Sequence, residues 1–585
     1  MGDSEPTSFL AELKRRRVFR ALIGYAIAAF AVLQIIEPVM HGLRWPDAVL
    51  QYVVVALATG FPLVVSLAWI FDVNASGIER TPASGPVRGA RLAVILVAIG
   101  AFAAAPGLLY YLVLRARPTP PVARGAAAAP SIAVLPLVNL SRDAEQDYFA
   151  DGLTEELLDL LAKVPGLHVA ARTSAFSFKG KNEDARTIAE KLNVATLLEG
   201  SVRKSGDQVR ITTQLVSAAD GYHLWSETYD RKLTDVFAVQ DDIAQSVVAA
   251  LEVKLVPGQT PTSRTHRTSN PDAYNEYLLG RQFMRQGNRN GFLRAYKAYE
   301  KALSLDPRFA PALAGLASAE YWVADSAETA EAVADGQRRA IELAEKAVAL
   351  DPELTEAYIA RGVCRSAIQW NWSGAKVDFE RALSLSPESA DAILEYARNV
   401  LRPLGRLPEG LAASRRATEL DPLNGRAWAT LGAFYVATGE QKLMREALNR
   451  SLEVSPEQAF AGPWLGTGLL IEGKPDEALA AFRRSTNEVF RLSGEATAQL
   501  ALGHARESQR ALDELIAKHA HDGAYQIATA YAWRGDGNQA FAWLDRAVGQ
   551  HDGGLTLIKI DPFLRGVRGD PRYAAILRKI NLSAD

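Results

Sequence analysis

The chain has 585 residues, 48% of them hydrophobic and 23% charged, with 65 Lys and Arg against 67 Asp and Glu and a net charge of −2. That length exceeds what one hydrophobic core uses and predicts several units, while the composition excludes a disordered chain, a collagen-like chain and a strongly basic nucleic-acid binder. The near-neutral sum hides a split, +4 over residues 1–117 and −6 over the remainder.

Residues 1–20 form a polar tail that ends in a basic run, Lys14 to Arg17 and Arg20. Three apolar stretches follow within residues 21–114, at 21–36, 48–71 and 92–114. At 1.5 Å per residue the second and third reach ~36 and ~35 Å, enough for a ~30 Å hydrocarbon layer, while the first reaches ~24 Å and needs snorkelling flanks. A cleaved signal peptide with residues 14–17 as its basic region is the alternative, but a polar leader and two later spans favour a retained anchor. Five Lys or Arg precede the first stretch, Arg44 alone lies in the first loop, and Arg80, Arg88 and Arg91 lie in the second. By the positive-inside rule the N-terminus and second loop are expected in the cytoplasm and everything after residue 114 on the far side. With only two spans that region would be cytoplasmic. Glu37, one residue before Pro38, reads as a headgroup-level helix end rather than an intramembrane relay.

Residues 115–130, RARPTPPVARGAAAAP, form a tether, because prolines remove backbone donors and favour extended chain. The texture then changes. Residues 131–139 predict a buried strand, 146–163 a helix with Leu153, Leu157 and Leu161 on one stripe, 167–171 a strand and 184–192 a second amphipathic helix. Residues 194–204, 209–217 and 222–229 alternate as a meander of antiparallel strands, and 235–255 closes the unit as a helix. This order over 131–256 is one α/β domain with helices on a mixed sheet. Asp151, Glu155, Glu156 and Asp159 supply carboxylates that acid/base chemistry would need; on a helix near its N-terminus they read as groups that favour the dipole and keep an exposed face solvated. Trp225 beside His223 reads as strand packing rather than a ligand site.

The segments SIAVLPLVNLS, YFADGLTEELLDLLAKVPGL and LLEGSVRKSGDQVRITTQLVSAADGYHLWSETYDR resemble, in order, the TolB amino-terminal-like domain of bacterial envelope and signalling proteins. The resemblance implies a module between a membrane anchor and helical repeats, at times downstream of a cyclase or a winged-helix DNA-binding domain. No such domain is expected before residue 131, so those activities are not carried over. With this resemblance, the membrane is expected to be the bacterial inner membrane and the far side the periplasm.

From residue 270 the sequence repeats. YEKALSLDP, AEKAVALDP, FERALSLSP, SRRATELDP and LNRSLEVSP end at Pro307, Pro352, Pro387, Pro422 and Pro456, spaced by 45, 35, 35 and 34 residues. An insertion of about eleven residues around 324–334 restores the 34-residue period. Trp428, Leu431, Gly432 and Tyr435 resemble the first-helix signature of the tetratricopeptide repeat, and Ala295, Tyr299 and Ala302 with Ala375, Phe379 and Ala382 its second-helix pattern. About eight units are expected over 270–552, the seventh poorly formed, with 553–585 as a capping segment that covers the end of the solenoid.

Such an array has a concave surface lined by first helices, where the family binds an extended peptide or a partner helix. Projection onto matching first helices gives candidate groove positions Tyr274, Tyr277, Arg281, Arg285, Glu395, Asn399, Arg402, Arg426, Tyr525, Thr529 and Trp533, with Asn399 and Arg402 as a possible carboxylate clamp. Otherwise they are solvated polar positions on helices. The near P-loop at residues 468–474 has Pro475 where a metal-binding hydroxyl belongs, His519 and His521 have only Asp522 for company, and Arg568, Gly569 and Asp570 are three common cap residues. The single cysteine, Cys364, falls inside a repeat helix.

The sequence therefore reads as a multi-domain protein with a helical transmembrane anchor, a small α/β mixed-sheet domain and an all-α solenoid. It is expected to be non-enzymatic, without cofactor or metal, and to scaffold or sense a protein or peptide partner. The alternative is a signal-transduction receptor read by a cytoplasmic partner.

Overall fold

The computed structural model describes Tyr25, residues 27–32, Val53, Leu57, residues 71–74 and 77–80, and residues 130–583 apart from 142, 144–145, 165, 233–234, 252–267 and 326–329. The chain divides into two units, Met1–Ala127 and Ala128–Asp585.

In the first unit Tyr25, residues 27–32, Val53 and Leu57 are helical, and the Tyr25 hydroxyl donates to the Leu57 carbonyl, joining the first two apolar stretches. Strands β1 (Phe71–Asn74) and β2 (Gly77–Arg80) pair antiparallel with Phe71 opposite Arg80. Phe71, expected to end the second span, thus belongs to a hairpin. The tail, Glu37, the rest of the first two stretches, the whole of 92–114 and the tether up to residue 129 lie outside the described residues. Among the described residues no helix is long and apolar enough to cross a membrane.

The second unit begins with the α/β domain. Its strands are β3 (Ser131–Val134), β4 (Val138–Asn139), β5 (His168–Val169), β6 (Thr196–Ser205), β7 (Gln208–Ser217) and β8 (His223–Lys232), in the order β5-β3-β6-β7-β8 with β4 continuing beside β6. Strand β3 is parallel to β5 and β6, and β6, β7 and β8 are antiparallel. The single strand expected over 131–139 is two, because Pro136 has no N–H to give the ladder and the Leu137 amide donates to Thr154 Oγ1 at 3.0 Å instead. The helices are α1 (Asp147–Ala162), α2 (Arg172–Phe176), α3 (Ala185–Leu192) and α4 (Val236–Ala250). The Asp184 side chain caps α3 by accepting from the Thr187 amide, and Asn193 closes it in the left-handed conformation. Helix α2 had no signal: five residues are too short for periodicity.

Eight helical hairpins follow among the described residues: α5 (Pro271–Met284) with α6 (Arg289–Leu305), α7 (Ala310–Asp325) with α8 (Ala330–Leu350), α9 (Thr355–Ala367) with α10 (Trp372–Leu385), and α11 (Ala390–Tyr396) with α12 (Leu407–Leu420). Then come α13 (Gly425–Thr438) with α14 (Gln441–Val454), α15 (Ala461–Ile471) with α16 (Pro475–Arg483), α17 (Glu488–Ala501) with α18 (Ala505–His519), and α19 (Ala524–Trp533) with α20 (Gly537–Gly549). The insertion in the second unit lengthens α8 to 21 residues. The seventh hairpin has full helices of 14 and 15 residues; the sixth is the short one, at 11 and 9. Helix α11 runs on as a π-helical turn, Ala397–Leu401.

Packing explains the small-residue pattern. The ring of Tyr299 lies between Gly280 of its own hairpin and Gly315 of the next, where a Cβ on either glycine would come within 2.5 Å of it. Phe482 lies in the same way between Gly466 and Gly494. Each of these two rings thus fills a slot that only glycine leaves open, and neighbouring units share one core. Cys364 packs 1% exposed in α9, and burial pushes its thiol up to about 12.

Two 3₁₀ turns, Gly553–Leu557 and Pro562–Val567, and helix α21 (Pro571–Lys579) end the chain. They cover the last hairpin and also reach back to the third. The Trp372 indole N–H donates to the Ile580 carbonyl at 2.8 Å, and Trp370 stacks on His551 with centroids 4.4 Å apart.

Candidate partner-binding surface

The α/β domain packs against the first helices of the repeats. Its helix α1 and first-hairpin helix α5 belong to one continuous apolar core that runs from Leu153 and Leu157 through Leu278 to Tyr299. Gly152 permits the approach, since a Cβ there would lie 2.4 Å from Leu278. Beside this seam is a cluster of ions. Glu155, 1% exposed, accepts from Arg172 Nε and Arg285 Nη1, both at 2.6 Å, and pairs with Arg281 Nη2 at 2.7 Å. Asp151, also buried, pairs with Lys179 at 2.7 Å, and Arg281 reaches Glu156 at 3.2 Å and Asp159 at 3.8 Å. The solvated acidic face expected for α1 is therefore wrong for Asp151 and Glu155, whose cations come from α5 and from the α2 segment, 125 residues and more from α1 in the case of α5. Burial alone would raise the Glu155 carboxyl, but Arg281, Arg172 and Arg285 outweigh it and hold it below the usual range. Glu156 and Asp159 move the other way, because burial and the neighbouring Glu356 outweigh Arg281.

The domain touches the repeats a second time at the junction of the fourth and fifth hairpins. Asp421, 1% exposed, accepts from the Ser174 amide at 2.9 Å and from the Ser174 hydroxyl at 2.5 Å; the Leu423 amide donates to Ser174 Oγ at 2.8 Å, and His168 meets Glu388 at 3.2 Å. Asp306, Asp351 and Asp421 hold equivalent places before the repeat prolines, so nothing in the sequence singles out the one that the domain uses.

Between these two attachments the domain bridges the groove and leaves a cavity of about 240 Å³ beneath it. Tyr274, Tyr277, Phe237 and Phe309 form one side, and Glu156, Asp159, Glu356, Glu388, Asp391 and Asp421 line it with carboxylates against Lys163, Arg172 and Arg281. Asp391 is exposed, and the protein packed around its carboxyl, with Asp421 and Glu395 nearby, raises it. Glu356, Glu388, Asp391 and Asp421 each stand at an ordinary helix start or end in sequence, and the fold brings them beside Glu156 and Asp159 of α1.

The projected groove positions fall into three groups. Arg281 and Arg285 pair with the chain's own α1, Tyr274 meets Phe237 and Gln240 of α4, and Tyr277 accepts from Arg281. In the centre, Glu395 accepts from Asn399 Nδ2 at 2.7 Å, pairs with Arg398 at 3.4 Å and also pairs with Arg426. Arg402 donates to Thr556 Oγ1 of the C-terminal segment at 3.0 Å, its Nε is buried without a hydrogen-bond partner, and burial pushes its guanidinium down to about 10. At the far end Tyr525 is buried and donates to Asp561 Oδ2 at 3.1 Å, Thr529 donates to the Gln526 carbonyl at 2.9 Å, and Trp533 packs on Phe563 at 4.9 Å. Tyr525 and Thr529 line a second pocket, of about 70 Å³, with Phe460, Trp464, Phe490 and Phe563.

His519 approaches Asp522 at 3.2 Å and Glu488 at 3.3 Å. Among the described residues no group of three or more His, Cys, Asp or Glu is arranged to hold a metal ion.

Residues 127–246, nearly the whole α/β domain, match the family model of the HilA/YgeH-like transcriptional regulator, second domain. A protein of Rhizobium meliloti (strain 1021) named putative adenylate cyclase 3 is 44% identical over 189 residues, which are 32% of this chain and 32% of that protein; the match thus spans about a third of that relative's length. Among solved structures, the human IFIT1 dimer with m7Gppp-AAAA is 15% identical over 53% of this chain and 77% of its own, with a TM-score of 0.35. PilW, a type IV pilus biogenesis factor, is 21% identical over 37% of this chain and 97% of its own, with a TM-score of 0.31. PilF of Pseudomonas aeruginosa is 15% identical over 36% and 94%, with a TM-score of 0.29. The chain is similar to each of these over the stated part.

Proposed function

We propose that the chain is a non-enzymatic scaffold or sensor that binds a protein or peptide partner through the concave face of its repeats. One observation carries this reading: beside the chain's own α/β domain an open cavity remains, lined by the exposed Glu356 and Asp391 and by the Tyr274 and Tyr277 rings. Exposed carboxylates on that lining are placed to meet basic groups of a partner. In this reading Asn399, Arg402, Glu395 and Arg426 form the middle of the binding path, and the TolB-like domain is a bridge that narrows access to it. A photocrosslinking residue in place of Asp391 is expected to capture the partner.

The anchor belongs to the same proposal: three spans in a bacterial inner membrane, N-terminus in the cytoplasm and repeats in the periplasm. The three apolar stretches and the distribution of Lys and Arg around them support it. A phosphatase reporter joined after residue 125 is expected to be active, and one joined after residue 85 silent. Activity at 85 with silence at 125 would contradict the orientation.

A second reading, a signal-transduction regulator, is favoured by the relative named putative adenylate cyclase and by the regulator family matched at 127–246. Here partner binding on the repeats would be relayed through the bridge, and a cytoplasmic protein would supply the output.

A further inference from the structure

The pocket at the far end of the concave face differs from the acidic cavity. Its walls are aromatic, Phe460 and Phe490 meeting edge to face at 5.4 Å with Phe563 also in the lining, and Phe460 is 41% exposed. Its one carboxylate is that of Asp561, 7% exposed. The Asp561 carboxylate accepts from the Phe563 amide at 2.9 Å and from the Tyr525 hydroxyl at 3.1 Å, both neutral donors. Arg568, the nearest cation, spends its hydrogen bond on the Asp561 backbone carbonyl, at 2.9 Å. Among the described residues Asp561 forms no ion pair, although a carboxylate has capacity for about four hydrogen bonds.

A buried carboxylate at the base of an aromatic slot is complementary to an alkyl-ammonium: the chain packs on the rings, the positive head is attracted by their faces, and the carboxylate receives its protons. About 70 Å³ is room for roughly five water-sized groups, which suits an unbranched lysine side chain better than a guanidinium or an aromatic ring. We propose that this pocket takes a lysine side chain of an extended peptide segment of the partner. The proposal rests on the concave face being the binding surface, and it adds the chemistry of one anchoring residue.

Burial pushes the Asp561 carboxyl up to about 6, opposed by its bonds from Phe563 and Tyr525 and by Arg568. The other ionisable groups facing it are Tyr573 of α21 and, through Tyr525, Asp552. Of these, Asp561 is the group whose charge changes near neutral pH, so lysine preference should fade below about pH 6.

The test uses two fluorescein-labelled pentapeptides, identical except for a central lysine or norleucine, titrated by anisotropy against the full chain. At pH 7.5 the lysine peptide is expected to bind roughly fivefold tighter, the worth of a partly desolvated cation, and the preference should vanish at pH 5 and in Asp561→Asn. Phe460→Ala, at an exposed wall that folding does not need, should weaken the lysine peptide without erasing the preference. Equal binding of the two peptides by the native chain, or a preference that survives Asp561→Asn in protein with a native circular dichroism spectrum, would overturn the lysine assignment. Partner capture at Asp391 with no lysine preference would leave the scaffold reading standing and remove only this one.

Discussion

Glu155→Ala is expected to lower the unfolding free energy by about 2–4 kcal/mol, among the largest effects of any single polar substitution in the chain. Removing one member of a buried charge cluster leaves the others uncompensated, which costs ~3–5 kcal/mol when burial is complete. Here the carboxylate is 1% exposed but Arg172, Arg281 and Arg285 keep 21–28% of their side-chain surface, and Asp151, Glu156 and Asp159 remain to pair with them, so the cost is discounted. Chemical denaturation followed by circular dichroism measures it. Because α1 and α5 share one core, the loss should appear in a transition that includes both the α/β domain and the first hairpins; a change under about 0.5 kcal/mol would show that the cluster is not what joins them.

The same cluster sets an acid response. Glu155 has a depressed folded-state value, so its contribution is complete above its ordinary value of 4.5 and is lost as pH falls through the depressed one. Glu156 and Asp159 are raised, so ionising them costs stability at neutral pH, and that cost is relieved as pH falls through their raised values. Stability should therefore rise on mild acidification before it collapses.

Trp372→Ala is expected to cost about 3–5 kcal/mol, the range for removing a buried aromatic. Trp372 is 5% exposed in a cluster with Leu577, Ile580 and Leu582 of the C-terminal segment, and its N–H satisfies the Ile580 carbonyl. The substitution opens a cavity and orphans an acceptor across a joint between the third hairpin and the chain end. Its signature should be early proteolytic release of the C-terminal segment at temperatures where the remaining hairpins stay helical. A melting curve and digestion pattern unchanged from the native chain would mean that the joint holds nothing.

This joint marks what the sequence could not show. Proline spacing and the Trp428, Leu431, Gly432, Tyr435 signature located the hairpins because each is a local unit with one repeating solution to the same packing problem. The α/β order was legible for a similar reason, strand alternation and helix stripes being local. Contacts between units were not. Residues 553–585 read as an end cap from their position and polar face, but their apolar side, Leu555, Ile558, Leu564 and Ile576, says only that something is covered and not that Trp370 and Trp372 lie beneath. Likewise Asp151 and Glu155 follow the ordinary rule for a helix N-terminal half, and their burial depends on Arg281 and Arg285 arriving from α5. The groove projection identified Tyr274, Arg281 and Tyr525 as facing inward. It had no means of telling that the chain's own domain meets the first two and its own C-terminal segment the third.

The account stands on the concave face being where a partner binds. The most direct measurement places a benzophenone amino acid at Asp391, on the cavity lining, and in a second protein at Lys442, whose side chain is 88% exposed and lies outside that lining, and compares the crosslinked products in cells by mass spectrometry. One partner captured from position 391 and absent from position 442, at a defined segment of its sequence, is the expected result. The same products from both positions, or none from position 391 in a correctly folded and inserted protein, would contradict it.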